Sequence, residues 1–353
     1  MKILFFINHL ADGGAERVAA TLLNHLCEKH DVMVILFCNK KNTFTIDKKI
    51  STIQILCNSN NKILNAINRI RKIKKTIKQN GPDLIISFLT YTNIYVLAAN
   101  SLIQRKIIIS ERTSFQRPQH LGIVLFRRLL YRMANVVVLT SKDDYNHVKW
   151  LKNKTVIYNP IGFEPSITHQ NRDKTIISIG SQKRWYVKGF DLLIQSWAKI
   201  ALSHPDWKLQ FFGVTNNNYI SKMVKKNELE KQVDFFDWTD QIDKVLQSKS
   251  IYVLSSRNEG FPNSLIEAMS QGCACVAFDC KTGPNEIITD GKSGLLARNG
   301  DVDDLAAKLQ LLIEDENLRQ RMSAGAVDEV KRFDKELIME QWDELIEEVT
   351  HKR

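Results

Sequence analysis

The sequence predicts an α/β protein built from two doubly wound parallel-sheet domains, and three observations carry that prediction. Apolar runs of strand length alternate with helix-length amphipathic stretches from end to end, the pattern of strands covered by helices on both faces. The chain has 353 residues, more than one ordinary hydrophobic core holds. A turn-rich segment, YNPIGFEPSITHQNRD at 158–173, interrupts the rhythm, which then restarts.

Taken in order, the strand candidates of the first half are KILFFI, VMVILF, TIQIL, LIISF, KIIIS and VVVL. Those of the second half are KTIISIG (174–180), LQFFG (209–213), VDFF (233–236), SIYVL (250–254) and CVAF (275–278). Nearly all are rich in β-branched or aromatic residues, and turn-forming residues flank many of them. Helical patterns fill 302–349. The expected organisation is a first domain over 1–160, a linker over 161–173, a second domain over 174–332 and a closing segment over 333–353.

Composition is that of an ordered globular chain, with 44% hydrophobic and 25% charged residues. The longest apolar runs fall well short of the roughly 20 residues that span a bilayer. ILFFI at 3–7 stops at Asn8 and His9, so it reads as a first strand and not a signal peptide, and the expected location is cytoplasmic. Six cysteines lie scattered without C-x-x-C pairs and read as reduced packing thiols. Residues 1–160 hold 25 Lys and Arg against 9 Asp and Glu, while the remainder holds 25 against 30. The basicity of the chain therefore belongs to its first half, which suits nucleic acid, an anionic membrane or a charged acceptor.

The most informative stretch is SSRNEGFPNSLIE at 255–267, two glutamates eight positions apart around a Gly-Phe-Pro turn. SIYVL before it and the helical pattern after it place Glu259 in a loop and Glu267 on a helix. Pro262 suits the first helical position and Gly272 the C-terminal cap. Free N–H groups from about Asn263 to Leu265 would then present a phosphate-binding helix start.

This segment resembles the E-x7-E motif of retaining GT-B glycosyltransferases, in particular glycosyltransferase family 4. The similarity extends through DGGAER (12–17), KGFDLLIQSW (188–197), VDFFDWTDQIDKVLQSKSIYVL (233–254) and GCACVAFDCKTGPNEIITDGKSGLLARNGD (272–301), in the family's order. The resemblance implies two Rossmann-like domains facing each other across a cleft, with the last helix crossing back to the first domain. It implies transfer of a hexose or N-acetylhexosamine from a UDP-sugar, with no double-displacement nucleophile and no cofactor. On this reading Glu259 contacts the transferred sugar and Glu267 the ribose hydroxyls, with Phe261, Pro262, Asn263, Ser264 and Leu265 lining the donor. Lys188 matches the lysine before Gly-x-Asp that neutralises the leaving diphosphate. The arginine usual after the strand-ending glycine is Ser181 here, and Arg184 or Lys183 takes its place.

Other residues keep more than one reading. Gly13 and Gly14 open a strand-to-helix turn beside the donor phosphates or the acceptor. Trp238, at a strand end, stacks on uracil or belongs to the core. Arg112 stands where many relatives carry a histidine, which makes it an acceptor-side or donor-sugar candidate. Asp301-Val-Asp303 has a metal-diphosphate form but opens a helix, so capping is the better account, and no metal is expected.

KILNAINRIRKIKKTIK at 62–78 carries seven cations and no acid. Ile63, Ala66, Ile67, Ile70, Ile73 and Ile77 share a stripe, with Arg69 and Lys72 among the cations on its flank. That pattern fits docking on anionic lipid, a grip on the pyrophosphate of a lipid-linked acceptor, or a sheet-covering helix with a solvated face. FRRLLYRM at 126–133 repeats the basic-apolar mixture. A polyprenyl-pyrophosphate-linked saccharide of bacterial surface-polysaccharide assembly is the expected acceptor, reached at the inner face of the plasma membrane.

Rival classes make expectations that the sequence does not meet. An NAD oxidoreductase needs a third glycine after Gly14 and an acid ending the second strand, and neither is there. A nucleic-acid binder fits the pI near 9.2 but lacks a recognised module. A sugar-nucleotide epimerase of the same fold is the nearest alternative enzyme.

Overall fold

The computed structural model describes residues 1–11, 13–40, 43–57, 61–166, 172–215 and 218–351. The chain divides into two compact units, Met1–Pro160 with Lys335–Arg353, and Ile161–Asp334. In unit 1, β1 (Lys2–Ile7), β2 (Asp31–Leu36), β3 (Ser51–Gln54), β4 (Leu84–Phe88), β5 (Lys106–Ser110), β6 (Val136–Leu139) and β7 (Lys154–Val156) form one sheet, ordered β3-β2-β1-β4-β5-β6-β7. Every pairing is parallel. The connecting helices are α1 (Gly14–Leu26), α2 (Lys62–Asn80), α3 (Thr90–Asn100), α4 (Leu121–Leu130) and α5 (Lys142–His147).

Both faces of the interior of this sheet are buried because its central strands are apolar at successive positions. Ile3, Phe5 and Ile7 join a core with α1, while Leu4 and Phe6 join one with α2 and α3. On α2 the predicted stripe is buried only at Ile73 and Ile77. Ile63 is 72% and Ile67 41% exposed, so among the described residues nothing apolar covers the N-terminal part of the helix. FRRLLYRM also splits: Arg127 is buried against Glu111 at 3.4 Å and over the Phe115 ring, whereas Arg128 and Arg132 are exposed.

In unit 2, β8 (Asp173–Ile179), β9 (Lys208–Phe212), β10 (Val233–Phe236), β11 (Lys249–Leu254), β12 (Ala274–Phe278) and β13 (Leu295–Ala297) form a second parallel sheet, ordered β10-β9-β8-β11-β12-β13. Its helices are α6 (Phe190–Ile200), α7 (Asn218–Lys226), α8 (Ile242–Ser248), α9 (Asn263–Ser270), α10 (Pro284–Ile287), α11 (Val302–Glu314) and α12 (Glu316–Val330). Asp301 caps α11, accepting from the N–H groups of Asp303 and Asp304. Linker residues 167–171 lie outside the described residues. The preceding stretch is tied to unit 2 by the Ser166 N–H donating to Ser270 O and by Gln271 Nε2 donating to Glu164 O.

The chain then returns to unit 1 as α13 (Lys335–His351). Ile338, Met339, Trp342, Leu345, Ile346 and Val349 enter the core shared with α1, and Trp342 stacks on Phe88 with ring centroids 5.9 Å apart. Asp343 binds His25 at 3.0 Å and Lys29 at 2.6 Å. Among the described residues no helix is long and apolar enough to cross a membrane.

Strand order reverses between β1 and β4 in one sheet and between β8 and β11 in the other. Loops leaving neighbouring strands diverge at such a point, and the crevice outside the carboxyl ends is where doubly wound sheets take ligands.

Candidate active site

In unit 2 the loops after β8 and β11 are stitched together at the reversal. Gly189 follows Lys188 with φ +63°, and a Cβ there would lie 1.8 Å from Ser255 O, so only glycine lets the two loops cross. The Ser255 hydroxyl donates to Lys188 O at 2.9 Å, and the Arg257 N–H donates to Val187 O at 2.9 Å. Arg257 also makes a two-pronged ion pair with Asp191, both bonds 2.7 Å, and lies over the Tyr186 ring at 4.0 Å.

Those crossings bring together two residues 71 positions apart. Lys188 Nζ lies 2.8 Å from Glu259 Oε1, and the Ser256 hydroxyl donates to the same oxygen at 2.5 Å. The side chains are 14% and 8% exposed. Burial pushes the Glu259 carboxyl upward, but the Lys188 ammonium, the Ser256 hydroxyl and the Arg184 charge outweigh it and hold the group below its ordinary range. Arg184 is exposed on the turn before Lys188, and its charge is felt at Glu259. Behind the pair, the Thr282 hydroxyl donates to Glu259 O. Thr282 itself holds φ +67°, a strained value for a β-branched residue and of the kind that gathers at functional sites.

Glu267 is 4% exposed on α9, which removes the reading of it as a solvated surface charge. Burial raises the Tyr252 hydroxyl, and both Glu259 and Glu267 add to that rise, so the two carboxylates act on one neighbourhood. Tyr252 donates to the Ser264 hydroxyl at 2.7 Å.

The helix start differs from expectation. Pro262 is the N-cap of α9 and not its first residue, with φ −81° and ψ 84°, close to an inverse γ-turn. The turn folds the chain back, so the Asn263 N–H donates to Phe261 O and the Leu265 N–H to Pro262 O. Neither is left free for phosphate. Phe261 and Leu265 are buried, Phe261 edge-on to Phe333. Gly272 holds φ +71° just past the helix end, as a C-terminal glycine does.

Trp238 is 64% exposed after β10, which excludes the core reading. Ser256, Arg257, Asp191 and Thr282 were not singled out from sequence. Ser256 and Arg257 stand inside the 255–267 stretch and Asp191 inside the Lys-Gly-x-Asp segment, but only the crossing of loops shows what they hold.

In unit 1 the reversal carries a different arrangement. Gly13, with φ +121°, caps α1 and Gly14 begins it. A Cβ on Gly13 would meet the Glu16 carboxylate at 2.4 Å. Leu89, directly after β4, holds φ +77°. Arg112, in the loop after β5, lies over the Phe88 ring at 4.6 Å and donates through Nη1 to Asn159 Oδ1. Glu111 beside it is taken, accepting from Thr90 Oγ1 at 2.8 Å, Tyr131 OH at 2.6 Å and Thr113 N–H at 2.9 Å. Arg69 is sandwiched between Phe37 and Tyr95 at 5.3 and 5.2 Å, and Lys72 Nζ donates to Leu56 O at 2.6 Å.

No three His, Cys, Asp or Glu side chains among the described residues are grouped to hold a metal ion. Cys273, Cys275 and Cys280 are buried, and burial pushes the Cys273 and Cys280 thiols up to about 12.

Residues 12–164 match the family described as Glycosyltransferase Family 4, and residues 163–328 match Glycosyl transferases group 1. The chain is 27% identical, over 99% of both chains, to a Campylobacter jejuni alpha-1,4-N-acetyl-D-galactosaminyltransferase whose name gives a diNAcBac-PP-undecaprenol-linked acceptor. It is 25% identical to the amylovoran biosynthesis glycosyltransferase AmsD of Erwinia amylovora, over 98% of this chain and 99% of that one. Among solved structures, Anabaena HepE in complex with UDP and glucose superposes with a TM-score of 0.85 at 19% identity, covering 99% of this chain and all of that one. With two matches that together run from residue 12 to residue 328 and two parallel-sheet units of the GT-B kind, the chain is a glycosyltransferase and belongs to family 4, group 1.

Proposed function

We propose that this enzyme moves a hexose or N-acetylhexosamine from a UDP-sugar, with retention and without a metal, to a hydroxyl of a polyprenyl-pyrophosphate-linked saccharide in cell-surface polysaccharide assembly. The observation that carries this reading is the buried Lys188–Glu259 pair at the reversal point of unit 2. In that reading Lys188 and Arg184 stabilise the diphosphate as it leaves, since fixed charge aimed at developing charge lowers the barrier most. The bond from the anomeric carbon to the diphosphate oxygen breaks, the acceptor oxygen bonds to the same face of that carbon, and the departing diphosphate oxygen takes the acceptor proton. Glu259 orients the sugar, Glu267 accepts from the ribose hydroxyls and Trp238 stacks on the base. Ser264 and the turn at Phe261 to Asn263 line the nucleotide.

Unit 1 serves the acceptor, with Gly13, Arg112, Arg69 and Lys72 as its candidate contacts, and Gly14 as a contact of the donor. The C. jejuni relative, named for an undecaprenol-linked acceptor, supports that assignment. Exposed Leu121, Leu125, Phe126 and Leu129 on α4 stand beside Arg128, with Arg132 just beyond the helix, and Ile63 and Ile67 stand exposed on the basic helix α2. Apolar residues among cations are what a peripheral protein presents to anionic lipid, here the inner face of the bacterial plasma membrane.

The test is a panel of UDP-sugars offered with and without a short lipid-pyrophosphate saccharide, in the presence of EDTA. Product mass and the anomeric coupling by NMR are read out. One donor giving a product of unchanged anomeric configuration is the expected result. Inversion, a metal requirement, or interconversion of the donor without acceptor contradicts it.

A further inference from the structure

We propose that Arg112 forms an oxyanion site in unit 1, which takes a phosphoryl or carboxylate group of the substrate. Nε and Nη2 of Arg112 are enclosed by the protein yet have no hydrogen-bond partner among the described residues, while Nη1 is held by Asn159 and the plane lies over Phe88. A desolvated cation without a counter-charge is costly, and native interiors rarely keep one. The adjacent carboxylate of Glu111 accepts instead from Thr90, Tyr131 and Thr113, and pairs with Arg127. Burial accordingly pushes Arg112 down to about 9, with Glu111 only partly opposing the fall.

The place supports a ligand and not a packing accident. Arg112 lies over the last residue of β4, on the carboxyl side of the β1–β4 reversal, and Ser110 pairs with Phe88 in the sheet register. The Ser110 hydroxyl is buried and also lacks a partner among the described residues, so a second donor stands at the same strand ends. A guanidinium anchored at one nitrogen and unpaired at two others has the donors that bind a planar or tetrahedral oxyanion through two parallel bonds. Two sources share this chemistry: the pyrophosphate of a lipid-linked acceptor, or the carboxylate of an acidic sugar.

The identification of the ligand's source rests on unit 1 being the acceptor side, but the site itself does not, and the experiment separates the two. Arg112→Met, Arg112→Lys and Lys188→Met are compared with wild type by thermal melting, with and without inorganic pyrophosphate. Relief of an unpaired buried charge raises the midpoint of Arg112→Met by about 2 °C or more, whereas a merely structural arginine lowers it. Pyrophosphate raises the midpoint of wild type and Lys188→Met, raises that of Arg112→Met less, and acts on Arg112→Lys in between. A lower midpoint for Arg112→Met, or a pyrophosphate effect lost only with Lys188, overturns the proposal. These melts stand even when no UDP-sugar is turned over, which would sink the functional reading alone. Where turnover is found, a rise of about tenfold or more in acceptor KM for Arg112→Met, confined to diphosphate acceptors, names the phosphate as the source. The same rise confined to a neutral-anchored acceptor with an acidic sugar, or to an acidic donor, names the carboxylate. An equal change with a neutral acceptor and donor lacking both groups counts against an oxyanion.

Discussion

Each unit places a cation at the carboxyl ends of its sheet, beside the reversal strand β8 in unit 2 and one strand out from the reversal, after β5, in unit 1, and the two are treated in opposite ways. After β8, Lys188 meets Glu259 at 2.8 Å, with Ser256 on the same oxygen. After β5, Arg112 meets a ring and one amide oxygen and keeps two buried donors unpaired among the described residues. The first charge is held by an internal carboxylate through one of its donors before any substrate arrives, so its geometry is fixed by the protein. The second is left for a ligand to neutralise. A doubly wound fold supplies a crevice wherever strand order reverses, and whether the loops close a charge or leave it open decides what that crevice can do.

Breaking each charge separately is the sharpest contrast. Lys188→Met strands the Glu259 carboxylate in the interior, a loss of about 3–5 kcal/mol for a broken buried pair, read as a lower urea midpoint. The melt of Arg112→Met moves the other way. An unchanged midpoint for Lys188→Met means that solvent replaces the ammonium and that the pair is not closed in the sense described.

Trp238 confines the next effect to unit 2. Removal of a stacked aromatic weakens base binding by about 1–3 kcal/mol, so Trp238→Ala raises the donor KM roughly tenfold and Trp238→Phe much less. The acceptor KM stays as it was. Equal changes in both constants return this residue to a surface role.

The smallest effect is in the pH dependence of stability, where the units carry opposite signs. Burial raises Asp144, beside the loop that bears Arg112, to about 6, although it accepts from Ser114 Oγ and the Phe115 N–H at 3.1 Å. The folded state then binds more protons than the unfolded one between 3.8, its ordinary value, and about 6, so this group lowers stability as pH rises through that window. Glu259, held below its ordinary value of 4.5, contributes stability that is lost as pH falls through its folded value. Melts from pH 4 to 6 flatten for Asp144→Asn relative to wild type, and a steeper decline in that variant contradicts the assignment.

Much of this contrast was legible in the sequence, and the illegible part has physical causes. Apolar runs such as LIISF and SIYVL announced eleven of the strands, the interior ones because a strand buried on both faces has nothing but apolar residues to show. KTV of β7 and LLA of β13 are three-residue edge strands, too short to carry a pattern. Arg127 looked like part of a basic surface, since charge alone does not reveal that Glu111 and the Phe115 ring enclose it. Glu259 and Lys188 were named singly through the resemblance. That they touch depends on Gly189 letting one loop pass over Ser255, a fact about backbone shape that no spacing of letters contains. The open state of Arg112 was invisible for the same reason.

Acceptor-dependent UDP release, measured at saturating donor for wild type and Glu259→Gln, tests most directly whether the closed pair is where transfer takes place. The expected result is release that requires the acceptor and falls by about 10²-fold or more in the variant, the scale of losing one preorganised electrostatic contact. Wild-type release from Glu259→Gln, or release that ignores the acceptor, contradicts it.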